Sequence, residues 1–200
     1  SKVTYTGLTL TGTGAGNYVL NRTSLAGIGT ITRRALTLGA VAAQTKTYDG
    51  TTAADASKFG AVLAGAVVGD DVTATATGAT YNDKNVTAAN RIDYTGVALA
   101  GADAANYSLS ATTAQGAGTI ARRALTLGTV AAQTKTYDGT TAADTSKFHA
   151  ALNNVVAGEE NLVTATATGA AYNDKNVATA SKVTYTGLTL TGTGAGNYVL

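Results

Sequence analysis

The stretch Arg33-Arg34-Ala35-Leu36-Thr37-Leu38 returns letter for letter at Arg122 to Leu127, 89 residues on. Lys46-Thr47-Tyr48-Asp49-Gly50 returns at the same offset as Lys135-Thr136-Tyr137-Asp138-Gly139. Tyr81-Asn82-Asp83-Lys84-Asn85-Val86 returns at Tyr172 to Val177, now 91 residues on. Two residues have therefore entered between these anchors, within Asn153 to Leu162, where a loop absorbs them at least cost. Residues 1–20 are identical to residues 181–200. The chain divides into the C-terminal part of one repeat (1–32), a complete repeat (33–121) and a repeat without the counterpart of its last strand (122–200). That pattern reads as a window on a longer array. The expected continuation past Leu200 is NRTSLAGIGTI, as at residues 21–31.

A repeat of this length can bury a modest core of its own. It exceeds the roughly 20–50 residues of a solenoid unit, so self-supporting beads are expected. Charged residues make up 13% of the chain, about half the usual share. A net charge of +2, scattered along the sequence, excludes a nucleic-acid surface. The chain has no Cys, Met, Trp or Pro. Disulfides and thiolate metal sites are thereby excluded, and no prolyl isomerisation slows folding. A chain without Cys also suits passage through a periplasm unfolded. No apolar run approaches the roughly 18 residues of a membrane span, so no membrane insertion is expected.

Val3 and Tyr5 alternate with Thr4 and Thr6, the period of a half-buried strand. Leu8 and Leu10 alternate in the opposite phase, so the phase flips at Gly7; the same flip recurs at Gly96 and Gly187. A Gly at a phase flip predicts a β-bulge. Thr11 to Asn17 reads as a Gly-rich turn, with Tyr18-Val19-Leu20 starting a returning strand. Ile28 to Leu38 has no turn residue after Gly29, which predicts that one repeat's last strand runs into the next repeat's first. Asp49-Gly50, Gly69-Asp70-Asp71 and Asn82-Asp83-Lys84-Asn85 read as turns. Ala53 to Phe59 can hold one helical turn capped by Thr51 or Thr52. About seven short strands per repeat, with frequent turn signals, predict an all-β fold. The expected architecture is a small immunoglobulin-like β-sandwich, repeated in tandem and stacked end to end into an elongated rod.

Candidate sites are few. His149 is the only His, and its counterpart is Gly60, so it reads as an exposed structural residue. Tyr48-Asp49-Gly50 and Tyr137-Asp138-Gly139 can be read as a ligand loop. The plainer reading is a packed Tyr with a bonded hydroxyl, followed by a turn. Tyr5, Tyr94 and Tyr185, and Tyr18, Tyr107 and Tyr198, recur and must supply most of the aromatic core. Asp70-Asp71, matched by Glu159-Glu160, is the one candidate calcium site, since paired loop carboxylates suit a hard cation; no D-x-D-x-D spacing supports it. Thr73, Thr75 and Thr77, with Thr164, Thr166 and Thr168, line one strand face and read as ordinary solvated surface. Of Arg33-Arg34 and Arg122-Arg123, one Arg of each pair is expected to brace the neighbouring repeat. Gly12 to Gly16 lacks the Lys-Ser/Thr of a P-loop. No nucleophile–base pair repeats, so no enzyme is expected.

KTYDGTTAA from Lys46, GDDVTATATGATYNDKNV from Gly69 and YTGVALAGADAANYSL from Tyr94 resemble the YDG and MBG-type repeat domains, over Leu36 to Leu109 and again over Leu125 to Leu200. Where many relatives carry Pro after the final strand, this chain has Thr32-Arg33 and Ala121-Arg122. The resemblance implies a bacterial adhesin, filamentous-haemagglutinin-like and exported by two-partner secretion, at the cell surface or in the biofilm matrix. It implies no catalytic residues and no cofactor. Two functions stay open: a stalk that projects a binding region, or a module in which each repeat binds a glycan or a partner on another cell. The expected partners are other repeats of the same chain, polysaccharide or neighbouring cells. Head-to-tail self-association is also expected, with 1–32 of one molecule completing 122–200 of the next, because an unpaired edge invites pairing.

Overall fold

Residues 1–200 are described by a computed structural model, in which strand is formed wherever both members of a ladder lie in the chain. In 1–32 only one ladder qualifies: β1 (Lys2–Thr6) pairs antiparallel with β2 (Ser24–Ile28). The complete repeat carries β3 (Arg34–Val41), β4 (Gln44–Thr47), β5 (Ala61–Ala64), β6 (Thr73–Thr75), β7 (Gly78–Tyr81), β8 (Arg91–Thr95), β9 (Ala98–Ala100), β10 (Tyr107–Leu109) and β11 (Thr113–Ala121). One sheet has the order β4-β11-β8-β7 and the other β10-β3-β5. The chain is all-β, as the alternation requires.

The two sheets share one core. Tyr81, Ile92, Tyr94 and Ile120 come from the first, and Leu38, Val41, Leu63 and Leu109 pack on them from the second. Phe59 tilts against Tyr94 with ring centroids 4.8 Å apart. Ile92, which has no exposed surface, contributes about 1.5–3 kcal/mol by its burial, and the half-buried Leu38, Val41, Leu63 and Leu109 contribute less. Inside this core Gln44 donates to the Tyr94 hydroxyl at 2.6 Å and to the Asp55 carbonyl at 3.0 Å. Both sheets mix directions. β10, after the turn at Ala104–Asn106, does not return beside its predecessor; it pairs parallel with β3. β11 serves two partners, antiparallel to β8 through Thr113–Ala117 and parallel to β4 through Gly118–Ala121.

The phase flip at Gly96 is real, but it is not a bulge. Thr75 faces Ala98 and Gly78 faces Thr95, so each strand advances three residues and none is inserted. β6 with β9, and β7 with β8, are therefore halves of one hairpin bent at Thr77 and Gly96, and the nine strands make seven continuous passes. Gly96 takes φ +63°, and a Cβ there would overlap the Thr77 hydroxyl. Gly187, facing Thr168, repeats this geometry at φ +63°. The helical turn expected within Ala53 to Phe59 is a 3₁₀ turn at Ala56–Lys58, and its cap is Asp55 rather than Thr51 or Thr52. The Asp55 carboxylate accepts from the Ser57 amide and hydroxyl at 2.9 and 2.6 Å. Thr51 is occupied elsewhere, its hydroxyl bonded to Asp49, and the Thr52 carbonyl receives the Tyr81 amide.

The second repeat carries β12 (Arg123–Ala124), β13 (Thr126–Val130), β14 (Ala150–Asn153), β15 (Thr164–Thr166), β16 (Gly169–Tyr172), β17 (Val183–Thr186), β18 (Thr189–Thr191) and β19 (Tyr198–Val199). It has no counterpart of β11, and Gln133–Thr136, the counterpart of β4, forms no ladder. The two added residues are accommodated in the loop before Val163. Leu162 takes the place of Asp71: its carbonyl accepts from the Gly194 amide as the Asp71 carbonyl does from Asp103. The joint is near-continuous, β11 ending at Ala121 and β12 starting at Arg123. Between Ile28 and Arg34 it is not, because 1–32 contains no strand equivalent to β4.

Gly96→Ala is expected to cost about 1–2 kcal/mol for the left-handed backbone alone, and more for the overlap with Thr77. Denaturant unfolding of Gly96→Ala beside Thr77→Ala/Gly96→Ala checks this. The double variant recovers the overlap part and leaves the backbone part.

Candidate functional site

The Lys-Thr-Tyr-Asp-Gly motif builds its own loop. Asp49 Oδ1 accepts from the Thr51 amide and hydroxyl, both at 2.9 Å, and from Lys46 Nζ at 2.8 Å. Lys46 Nζ also donates to the Thr51 and Ala53 carbonyls at 2.8 and 3.0 Å and lies over the Tyr81 ring. Gly50 closes the turn at φ +77°. The second repeat reproduces this set: Lys135 Nζ donates to Asp138 Oδ1 at 2.9 Å and to the Thr140 and Ala142 carbonyls, and lies over Tyr172. These contacts hold the Asp138 carboxyl down at about 2. A second loop is equally self-contained. Asp83 Oδ1 accepts from the Asn85 amide and side chain, as Asp174 does from Asn176. Both loops lie at the end of the complete repeat that faces the next one.

There they meet a single carboxylate. Glu159, 7% exposed, belongs to the second repeat. Its oxygens accept from the Tyr48 hydroxyl at 2.7 and 2.9 Å and from the Tyr198 hydroxyl at 2.7 Å. Lys84 Nζ adds a bond of 3.2 Å. The Tyr48 and Tyr198 rings stand edge to face, centroids 5.4 Å apart. Beside them Asn197 accepts from the Val86 amide and donates to Asn85 Oδ1, both at 2.9 Å. Val156 seats against Gly50, where any Cβ would crowd it. The apolar cluster runs on through the joint, from Tyr48 and Ile120 to Leu125, Val163 and Tyr198.

Burial alone would push the Glu159 carboxyl up. The hydrogen bonds from Tyr48, Tyr198 and Lys84 outweigh that and hold it below its ordinary 4.5. The tyrosines respond the other way. Burial first, then the bond to Glu159, raises Tyr48, and the same pair of causes takes Tyr198 up to about 12. Charge-assisted bonds to a buried carboxylate are the strong kind, and removing one side strands the other.

The other candidate residues have plainer places. Asp70, the counterpart of Glu159, accepts from the Tyr107 hydroxyl at 2.5 Å. Asp71 accepts from the Ala102 amide, and Glu160 from the Gly158 amide. The four carboxylates Asp70, Asp71, Glu159 and Glu160 are thus engaged by protein donors, and no three acids or histidines converge. His149 lies exposed beside Phe148. Thr164 and Thr166 bond across the ladder to Thr191 and Thr189 on an exposed face. The arginines differ from expectation. Arg122 donates to the Gly196 carbonyl and Arg123 to Asn154, so both serve their own repeat. Asn154 stands where the complete repeat has Gly65, at φ +75°, and its side chain gives Arg123 an acceptor that Gly65 cannot offer Arg34. Glu159, a calcium candidate by sequence, is instead the joint acid, and Lys84 and Asn197 carry no local mark of a role at the joint. The signal was there: Asp70 and Glu159, Lys84 and Lys175, and Asn106 and Asn197 each recur at the repeat spacing.

Glu159→Ala is expected to uncouple the two repeats, costing about 1–3 kcal/mol for each buried tyrosine hydroxyl left without its acceptor. Denaturant unfolding then resolves two transitions where the parent chain shows one. The joint is also expected to depend on pH in both directions. The Glu159 contribution is full above its ordinary 4.5 and is lost as pH falls through the lowered value. The Tyr198 contribution is full below 10 and is lost as pH rises toward about 12. Unfolding followed across pH checks both limbs, and Glu159→Gln removes the acid one.

The YDG domain model matches residues 32–114 and again 121–200, so the two matched segments meet at this joint. No curated protein and no solved structure matches the chain. With two copies spanning most of its length, the chain belongs to the YDG domain family.

Proposed function

We propose that this chain is a stalk: β-sandwich repeats stacked into an elongated rod that projects the binding region of a secreted bacterial adhesin at the cell surface or in the biofilm matrix. The resemblance of its motifs to adhesin repeats supports the setting. One observation carries the mechanical part. Tyr48 is 1% exposed, whereas Tyr137, in the same motif with the same internal bonds, is 58% exposed. The motif that names the family is spent on seating the next repeat, not on holding a ligand. Val86 and Val177 differ in the same way, half-buried at the joint and 82% exposed without a neighbour. A tether of one residue between β11 and β12, a shared apolar core and a buried carboxylate with three donors make a joint that resists bending. Gly/Ser linkers, by contrast, act as random coils.

Small-angle scattering tests the shape. A compact chain of 200 residues has a radius of gyration of about 16 Å, and a rod exceeds it, with a length that grows by on the order of 30 Å per repeat. A compact globule would refute the proposal. Glycan-array screening separates it from the alternative in which each repeat binds; specific capture by single repeats would favour that alternative.

A further inference from the structure

A groove opens between β14 and β15, two strand edges that form no ladder with each other. It holds about 360 Å³, within the range of small-ligand clefts. Its lining divides by exposure. Phe148 and Val163 are buried and Leu152 and Val155 half-buried, so they form an apolar floor, while His149, Glu160 and Thr164 are exposed at the rim. An apolar cleft with a few convergent polar groups is the usual form of a ligand site. The missing counterpart of β11 does not open it. In the complete repeat β11 lies in the other sheet from β5, and Phe148, 6% exposed, is as buried as Phe59 at 8%.

The groove is made by differences between the repeats. Over 33–59 they differ only at Ala40 and Ala56, which are Thr129 and Thr145 in the second. The changes begin where the groove does. His149 stands for Gly60 and adds an imidazole, and Ala151 stands for Val62. Val62 is 66% exposed over Gly39, and Ala151 takes that bulk away from the same place over Gly128. Glu160 lies between Glu159 and Leu162, in the stretch that the complete repeat lacks. Its carboxylate accepts from the Gly158 amide and enters none of the ion pairs. Thr164 leads on to a patch of paired hydroxyls with Thr166, Thr189 and Thr191, where the complete repeat has Ala98 and Ala100 on the facing strand.

We propose that this groove binds an amino-sugar unit of a polysaccharide. The ammonium group meets Glu160, whose charge has no partner within the chain. The C–H face of the sugar ring covers Ala151 and Val155, and its hydroxyls reach His149 and Thr164. An amino sugar combines the cation, the hydroxyls and the apolar face that this lining complements. A uronic acid is opposed by the Glu160 charge, and a Lys or Arg side chain brings the cation without hydroxyls for His149 and Thr164. The threonine patch beside Thr164 offers further hydroxyls to the next unit of the sugar chain. The site goes beyond the stalk reading: it gives the rod a lateral attachment point in one repeat and not in the other.

Isothermal titration of the whole chain with a glucosamine oligosaccharide, at physiological salt, is expected to show a single site per chain. The N-acetylated oligosaccharide, which keeps the ring and loses the charge, should bind about tenfold more weakly, and an oligouronate should not bind. Glu160→Gln should weaken binding by about the same factor and leave the joint intact, because Glu160 takes no part in it. Ala151→Val, which restores the residue of the complete repeat, should abolish binding. Gly128 leaves room beneath it as Gly39 does beneath Val62, so the fold accepts the change. No binding, two equal sites per chain, affinity indifferent to Glu160→Gln or to Ala151→Val, or equal binding of oligolysine would each overturn the inference. None of these outcomes touches the stalk reading, which stands on the shape of the single chain.

Discussion

One buried carboxylate governs how this molecule holds together beyond a single bead. Glu159 has lost its water and keeps its charge only because Tyr48, Tyr198 and Lys84 supply donors from both sides of a boundary. A repeat that turned away would take the Tyr48 and Lys84 donors with it, and water would replace their directional, charge-assisted bonds. The orientation of neighbours is therefore dictated by electrostatics, while the apolar contacts around Leu125 and Val163 supply the bulk of the attraction.

β11 makes that arrangement possible from the backbone side. It completes one sheet by pairing with both β8 and β4, then passes through Arg122 into the next repeat. Where it has no counterpart, in 122–200, the segment equivalent to β4 loses its ladder although its sequence, Gln-Thr-Lys-Thr, is unchanged. Strand formation here is a property of pairs, not of segments, as the context dependence of β-propensity requires.

The same reasoning explains what was legible in the sequence. Alternation located the strands, and Gly7, Gly96 and Gly187 marked the change of face, because phase is written in one strand alone. Whether that change inserts a residue depends on the opposite strand, and the register at Thr77 shows that it does not. Likewise the recurrence of Tyr48 announced a packed ring, but not that its hydroxyl bonds across a boundary to Glu159. The cap at Asp55 was missed because Thr51, an equally good candidate in isolation, is claimed by Asp49. The Arg pairs were assigned to the boundary by position, whereas Asn154 and the Gly196 carbonyl draw Arg123 and Arg122 inward. Partners at long sequence separation leave no local trace; only their recurrence at the repeat spacing does.

Each copy presents the Tyr-Asp-Gly loop at one end and the acid with its Asn-Tyr pair at the other. A gene built this way tolerates recombination between its own near-identical segments. Loss or duplication of a whole unit brings together ends that carry the same loop and the same Asn-Tyr pair, with Asp or Glu as the acid. A change in the number of units then needs no compensating substitution within any one of them.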